Sequence, residues 1–170
     1  MGEKVFKTGI GYYVTEIPEI KASKEDPEIA VIDTPGLTTD TYKEYINPLI
    51  NEIKSVNKIN FIILILKDYR YDDEIIEIIK LLLNLFPNNL SDHFGIVINF
   101  FHPEDLSEHP KILEKLIKRI NKFSKIEINK QYIFYIPKSE IEIKKDNSII
   151  NEINRLKKIV KTKSPLTYKN

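Results

Sequence analysis

The stretch IAVIDTPG holds the residues with the clearest chemical potential, because an acidic side chain, Asp33, stands three residues before Gly36 at the end of an apolar run. A carboxylate at a strand end can hold Mg²⁺ directly or through water. A glycine lets a backbone N–H approach a phosphate that a side chain would keep away. The spacing predicts a site for a magnesium-bound phosphate, and the competing interpretation is an ordinary Pro-Gly turn after a strand.

The elements around this stretch predict an antiparallel hairpin whose second strand carries the acid. Strands are predicted over 12–21 and 28–34, and the polar turn ASKEDPE joins them. Pro18 indicates an edge position for the first strand. The second strand is apolar enough to predict burial on both faces, with Asp33 as its last residue but one.

Helices and strands alternate after the hairpin. The apolar spacing predicts helices over 41–56, 72–86, 110–123 and 147–160, and strands over 59–67, 94–101 and 132–136. Two of these strands, INFIILILK and FGIVINFF, are predicted to be fully buried. Strict alternation indicates an α/β fold with a mostly parallel sheet, and in such sheets ligands lie beyond the carboxyl ends of the strands.

The composition is that of one globular domain, with 170 residues, 42% apolar and 30% charged. The 26 basic and 25 acidic residues give no global field that would attract nucleic acid. Without cysteine there is no disulfide or thiolate chemistry, which fits a reducing compartment. The longest apolar run, FIILIL, is far shorter than the roughly 20 residues that span a bilayer. With no signal peptide at its start, the chain is expected to be cytoplasmic.

Three segments resemble, in the same order, parts of the immunity-associated nucleotide-binding GTPases (GIMAP/IAN, or AIG-type): GEKVFKTGIGYYVT, VIDTPGL and INFIILILKDYRYDDEI. The string DTPG is a restricted form of the DxxG element of GTPases. The resemblance implies a P-loop GTPase-like three-layer α/β sandwich that binds GTP or GDP with Mg²⁺. On this basis we expect a partial AIG-type G domain over 1–163 and a short polar tail over 164–170.

The resemblance also implies roles for individual residues. Asp33 would hold Mg²⁺ through water, and Gly36 would donate its backbone N–H to the γ-phosphate, with Thr34 and Pro35 in the same element. Thr15 corresponds to the switch threonine that closes on Mg²⁺ and the γ-phosphate. An exposed strand position is the alternative interpretation of Thr15, since threonine favours strands.

The residues that usually bind phosphate, read guanine and support hydrolysis in this family are not matched in this sequence. The phosphate loop GxxxxGK[ST] does not occur in the sequence, so we expect a domain whose first strand and P-loop are missing. Glu104 and Asp105 fall near the position of the guanine-reading aspartate, and a helix cap is the other role open to Asp105. Leu37 follows Gly36 and cannot orient water, so we expect weak or no hydrolysis.

These observations leave two hypotheses of different classes. The first is a guanine-nucleotide switch, and the alternative is a nucleotide-free pseudo-GTPase module that pairs with itself or with another GTPase through a sheet edge. The basic residues between 155 and 170 indicate either weak peripheral contact with anionic lipid or a solvated helix end. The three histidines lack metal-ligand spacing, so no zinc site is expected.

Overall fold

The computed structural model describes residues 18–23, 26–35, 42–56, 58–67, 73–86, 90–101, 109–124, 127–137 and 147–166. The chain divides into two compact units, Met1–Ile59 and Asn60–Asn170.

The first unit contains an antiparallel hairpin and one helix. Strand β1 spans Glu19–Ala22, strand β2 spans Ala30–Asp33, and helix α1 spans Tyr42–Ser55. The connection between the strands is closed by a hydrogen bond from the Ser23 N–H to the Ile29 carbonyl at 2.8 Å. The predicted hairpin and helix are confirmed, while the predicted strand residues 12–17 lie outside the described residues.

The hairpin has one apolar face and one charged face. Opposite residues of an antiparallel pair point to the same side, and residues alternate along each strand. The pairs Ile20–Ile32 and Ala22–Ala30 therefore share one face, and Glu19–Asp33 and Lys21–Val31 share the other. Ala30 is exposed and Val31 is 47% exposed. The prediction that this strand is buried on both faces is wrong, because one residue on each face is exposed.

The second unit is built from three strands and three helices within its described residues. They are β3 (Ile62–Lys67), α2 (Asp73–Leu85), β4 (Phe94–Phe101), α3 (His109–Ser124), β5 (Ile133–Pro137) and α4 (Asn147–Thr162). The strands form a parallel sheet in the order β3-β4-β5. Short 3-10 helices, Leu90–His93 and Lys130–Tyr132, lead directly into β4 and β5. The predicted α/β alternation is confirmed.

Strand β4 is the centre of the core because it has a neighbour on each side. Phe94, Ile96 and Ile98 are buried on one face, and Val97 is buried on the other. Helix α4 packs over the Val97 face through Leu156 and Ile159. Burial of both faces explains why this strand is apolar throughout, as predicted.

Gly95 of β4 lies very close to the ring of Phe61 and to the main chain of Tyr132. A Cβ added at this position would lie 2.8 Å from Phe61 Cε1 and 2.8 Å from the Tyr132 carbonyl oxygen. Only glycine fits this contact without movement of its neighbours.

Strand β3 is an edge strand, and its exposure differs from the prediction. Ile63 is 36% exposed and Ile65 is 64% exposed, whereas Leu66 on the opposite face is 4% exposed. In the part of the chain that the structure describes, β3 pairs only with β4. The prediction of a fully buried strand is therefore wrong for one face, since an apolar run does not distinguish an edge strand from a central one.

None of the helices within the described ranges is long and apolar enough to cross a membrane.

Candidate functional site

Asp33 is the last residue of β2, so its carboxylate lies where the strand gives way to the turn. The side chain is half-buried, the following Thr34 is exposed, and Pro35 is fully buried. The prediction placed Asp33 one residue before the strand end, and the structure places it at the end itself. A carboxylate in this position is neither sequestered in a core nor fully solvated.

The hairpin register brings further charged groups to the face that carries Asp33. Glu19 is directly opposite Asp33, and Lys21 lies diagonally across from it. The Lys21 ammonium forms an ion pair with Glu19, with 2.8 Å between Nζ and Oε2. Two carboxylates directly opposite one another repel, and the ammonium beside them offsets part of this repulsion.

The donor chemistry of this face fits a hard divalent cation. Carboxylate oxygens are the protein ligands that Mg²⁺ prefers, and it usually takes only one or two of them together with water and phosphate oxygens. Within the described ranges, no group of three or more His, Cys, Asp or Glu side chains is close enough to hold a metal ion.

Glu19 and Lys21 were not among the predicted site residues. The available signal was the alternation in EIPEIK, which puts both side chains on one face of a predicted strand. Their closeness to Asp33 depends on the hairpin register, which in turn depends on how the connection over 23–29 closes. The strand pattern alone does not give that register.

The remaining predicted site residues lie outside the described residues. These are Thr15, Gly36, Glu104 and Asp105. The structure neither joins them to Asp33 nor separates them from it, and their roles stay predictions.

The geometry described so far defines a class of fold. An antiparallel hairpin whose second strand ends at Asp33 and a unit of alternating helices and parallel strands are both features of GTPase-type α/β proteins. The family model described as the AIG1 family matches residues 1–170. The chain belongs to the AIG1 family, which confirms the family predicted from its sequence. Comparison with curated proteins gives no match.

Solved structures support the same fold. The structure of Toc33 from Arabidopsis thaliana in complex with GDP and Mg²⁺ has a TM-score of 0.63 at 18% identity, covering 90% of this chain and 74% of that chain. A dimerization-deficient mutant of Toc33 has a TM-score of 0.65 at 18% identity, covering 95% and 75% of the two chains. A structure from a study of dimerization in the chloroplast translocon components atToc33 and psToc159 has a TM-score of 0.59 at 18% identity, covering 79% and 64%. At this identity the likeness shows the fold.

Proposed function

We propose that this chain is a guanine-nucleotide-binding protein that takes GTP or GDP together with Mg²⁺. The observation that carries the proposal is the placement of Asp33 at the end of β2, half-buried and two residues before the fully buried Pro35. Membership of the AIG1 family supports it. The similar fold of Toc33, which was solved with GDP and Mg²⁺, supports it further.

Each predicted residue takes a defined part in this proposal. Asp33 holds the cation through water, and Thr15 closes on the same cation from the preceding segment. Gly36 offers a backbone N–H to the γ-phosphate, and Thr34 and Pro35 form the turn that brings it there. Mg²⁺, when bound, neutralises phosphate charge.

Base recognition and hydrolysis are the less complete parts of the site. Glu104 or Asp105 would accept hydrogen bonds from the guanine edge. Leu37 occupies the position after Gly36 where fast GTPases place a water-orienting glutamine, so turnover is expected to be slow. The protein then acts as a nucleotide-dependent switch rather than as an efficient enzyme.

The test is isothermal titration of the protein with a non-hydrolysable GTP analogue, with and without Mg²⁺, in the wild type and in Asp33→Asn. This substitution keeps the side-chain size and removes the charge. We expect micromolar binding by the wild type in Mg²⁺, and binding at least about tenfold weaker in Asp33→Asn, which corresponds to about 1.4 kcal/mol. Without Mg²⁺ the two proteins should bind alike. Glu28→Gln is the matched control, because Glu28 is an exposed acid near the opposite end of β2.

The second candidate function is a nucleotide-free interaction module. The observation that favours it is the edge strand β3, on which Ile63 and Ile65 are exposed. The sequence also contains no GxxxxGK[ST] string. Absence of nucleotide binding up to about 1 mM, a binding free energy near −4 kcal/mol, would favour this module over the switch. Equal affinity of wild type and Asp33→Asn in Mg²⁺ would refute the role of Asp33.

Partners other than the nucleotide follow from the same proposal. A dimer with a second copy or with another GTPase is one, and dimerization is described for Toc33. Weak contact of the basic C-terminal residues with an anionic membrane surface is another. We place the protein in the cytoplasm, in agreement with its lack of cysteine.

A further inference from the structure

A cavity of about 470 Å³ lies in the second unit, between the 3-10 helix Lys130–Tyr132 and the C-terminal half of α4. Six residues line it: Gln131, Tyr132, Arg155, Ile159, Thr162 and Lys163. It is a depression that is open to solvent rather than an enclosed pocket. It lies where β5 begins, whereas ligands of α/β sheets bind where strands end. All six lining residues belong to the second unit.

The lining carries two positive charges and no acid. The Arg155 guanidinium is held firmly, because it donates to the carboxylate of Glu152 and to the carbonyl oxygens of Gln131 and Ile133. It also lies 4.3 Å from the centre of the Phe134 ring. Arg155 is thus a fixed part of the wall whose charge is largely balanced by Glu152.

Lys163 supplies the charge that is available to a ligand. Its Nζ lies 4.8 Å from the centre of the Tyr132 ring, and it forms no ion pair with a carboxylate in the part of the chain that the structure describes. No acidic residue follows Glu152 in the sequence. The Lys163 carbonyl accepts a hydrogen bond from Asn60 Nδ2 at 2.7 Å, which fixes the backbone from which this side chain extends.

Tyr132 provides an independent sign that a polar ligand belongs in the cavity. The residue is only 6% exposed, yet its hydroxyl makes no hydrogen bond to any of the described residues. Its ring packs edge-on against Phe61 and lies under the Lys163 ammonium. A buried tyrosine hydroxyl normally has a partner, so one with no partner among the described residues is a candidate donor to a ligand.

We propose that this cavity binds the phosphate group of a small anionic molecule. Lys163 supplies the charge, and the Tyr132 hydroxyl and the Gln131 carboxamide supply neutral donors, while Arg155 keeps the wall in place. A phosphate accepts several charge-assisted hydrogen bonds at once, which matches a lining rich in donors and free of carboxylates. The phosphate comes either from a soluble organic phosphate or from a lipid headgroup.

The test is an NMR titration of the labelled full chain with sodium phosphate, compared with sodium chloride at equal ionic strength. We expect saturable shifts of the amides of Gln131, Tyr132, Thr162 and Lys163 with phosphate only. Lys163→Met, which keeps the length of the side chain, should weaken phosphate binding about tenfold, because the strongest charge-assisted bond is lost. Tyr132→Phe keeps the ring and should weaken it about threefold. Lys118→Met on α3 is the control, since it removes the same charge from a surface outside the cavity lining, and should bind like wild type.

Further arms distinguish the source of the phosphate and separate this site from the nucleotide site. Phosphatidylcholine vesicles with and without phosphatidylinositol 4-phosphate are compared with soluble inositol 1-phosphate. Retention on the phosphorylated vesicles that is lost in Lys163→Met identifies a lipid source, and tighter binding of the soluble compound identifies a soluble one. Asp33→Asn should leave phosphate binding unchanged. The proposal is overturned if phosphate and chloride give the same shifts, or if Lys163→Met binds phosphate like wild type.

Discussion

Replacing Arg155 by methionine should weaken the attachment of α4 to β5 more than any charge removal on the surface of the second unit. Arg155 extends from α4 and donates to the carbonyl of Ile133 at 3.0 Å and to that of Gln131. Its Nη2 lies 2.5 Å from Glu152 Oε2, and the guanidinium covers the ring of Phe134, which is 2% exposed. Methionine keeps most of the apolar stem and removes every one of these polar contacts.

The size of the effect can be worked out from these contacts. The ion pair with Glu152 has side-chain exposures of 35% and 37%, so it contributes only about 0.5 kcal/mol after solvent screening. The two bonds to main-chain carbonyls contribute about 1 to 3 kcal/mol together, because a charged donor strengthens them and Ile133 is buried. Stacking over Phe134 adds about 0.5 to 1 kcal/mol. The free energy of unfolding should therefore fall by about 2 to 4 kcal/mol, which for a chain of this size lowers the melting temperature by roughly 5 to 15 °C.

Urea denaturation and thermal melting, both followed by circular dichroism, measure this change. Lys118→Met is the matched control, since its ion pair with Glu114 is exposed, and its melting temperature should stay at the wild-type value. Arg155→Lys keeps the charge but cannot form the planar fork, so it should recover only a minor part of the loss. The reasoning is refuted if Arg155→Met melts at the temperature of the control. Full recovery in Arg155→Lys would show that charge, rather than geometry, is what matters.

Two more predictions follow from single contacts in the same unit. Gly95→Ala should lower the free energy of unfolding by about 1 to 3 kcal/mol, because the new methyl would lie 2.8 Å from Phe61 and from the Tyr132 carbonyl oxygen. An unchanged midpoint of urea denaturation would contradict this prediction. Burial, and after it the charge of Glu152, raises the pKa of Tyr135 above its usual 10.0. The stabilisation from neutral Tyr135 is thus complete below pH 10 and is lost as the pH rises through the folded-state pKa. In urea titrations above pH 10, the free energy of unfolding of Tyr135→Phe should therefore fall less steeply with pH than that of wild type. Parallel curves for the two proteins would contradict that assignment.

The fold could be predicted from the sequence wherever local pattern and tertiary environment agree. Strand β4 was predicted with the bounds that the structure has, since a central strand needs apolar residues on both faces and its sequence supplies them. The same rule failed for Val31 and Ile65, which are equally apolar but exposed on strands that have a single partner strand among the described residues. Hydrophobicity measures what a residue can bury, and the neighbouring elements decide whether it is buried.

The same distinction between local sequence pattern and tertiary environment applies to the candidate sites. Asp33 could be proposed from the sequence because its signal is local, an acid at a strand end with a glycine three residues later. Glu19 was missed because its position opposite Asp33 depends on strand register. The cavity was missed because Tyr132 and Lys163 are 31 residues apart in the sequence and meet only when α4 packs on the sheet. A site built from residues that are far apart in the sequence has no short motif by which it could be recognised.

The two proposed sites also differ in how far ligand binding should stabilise their surroundings. The Asp33 site rests on a hairpin of two four-residue strands, and two-stranded hairpins have little stability of their own. The carboxylates of Glu19 and Asp33 face one another there, so a cation between them relieves repulsion as well as gaining ligands. The cavity beside Lys163 is instead built on a sheet whose central strand is buried on both faces. A ligand present at one hundred times its Kd stabilises the folded state by about 2.7 kcal/mol. A stabilisation of this size would order a marginal hairpin but would leave a packed core nearly unchanged. The nucleotide site proposed at Asp33 would therefore couple ligand binding to local order, because the two are of similar free energy.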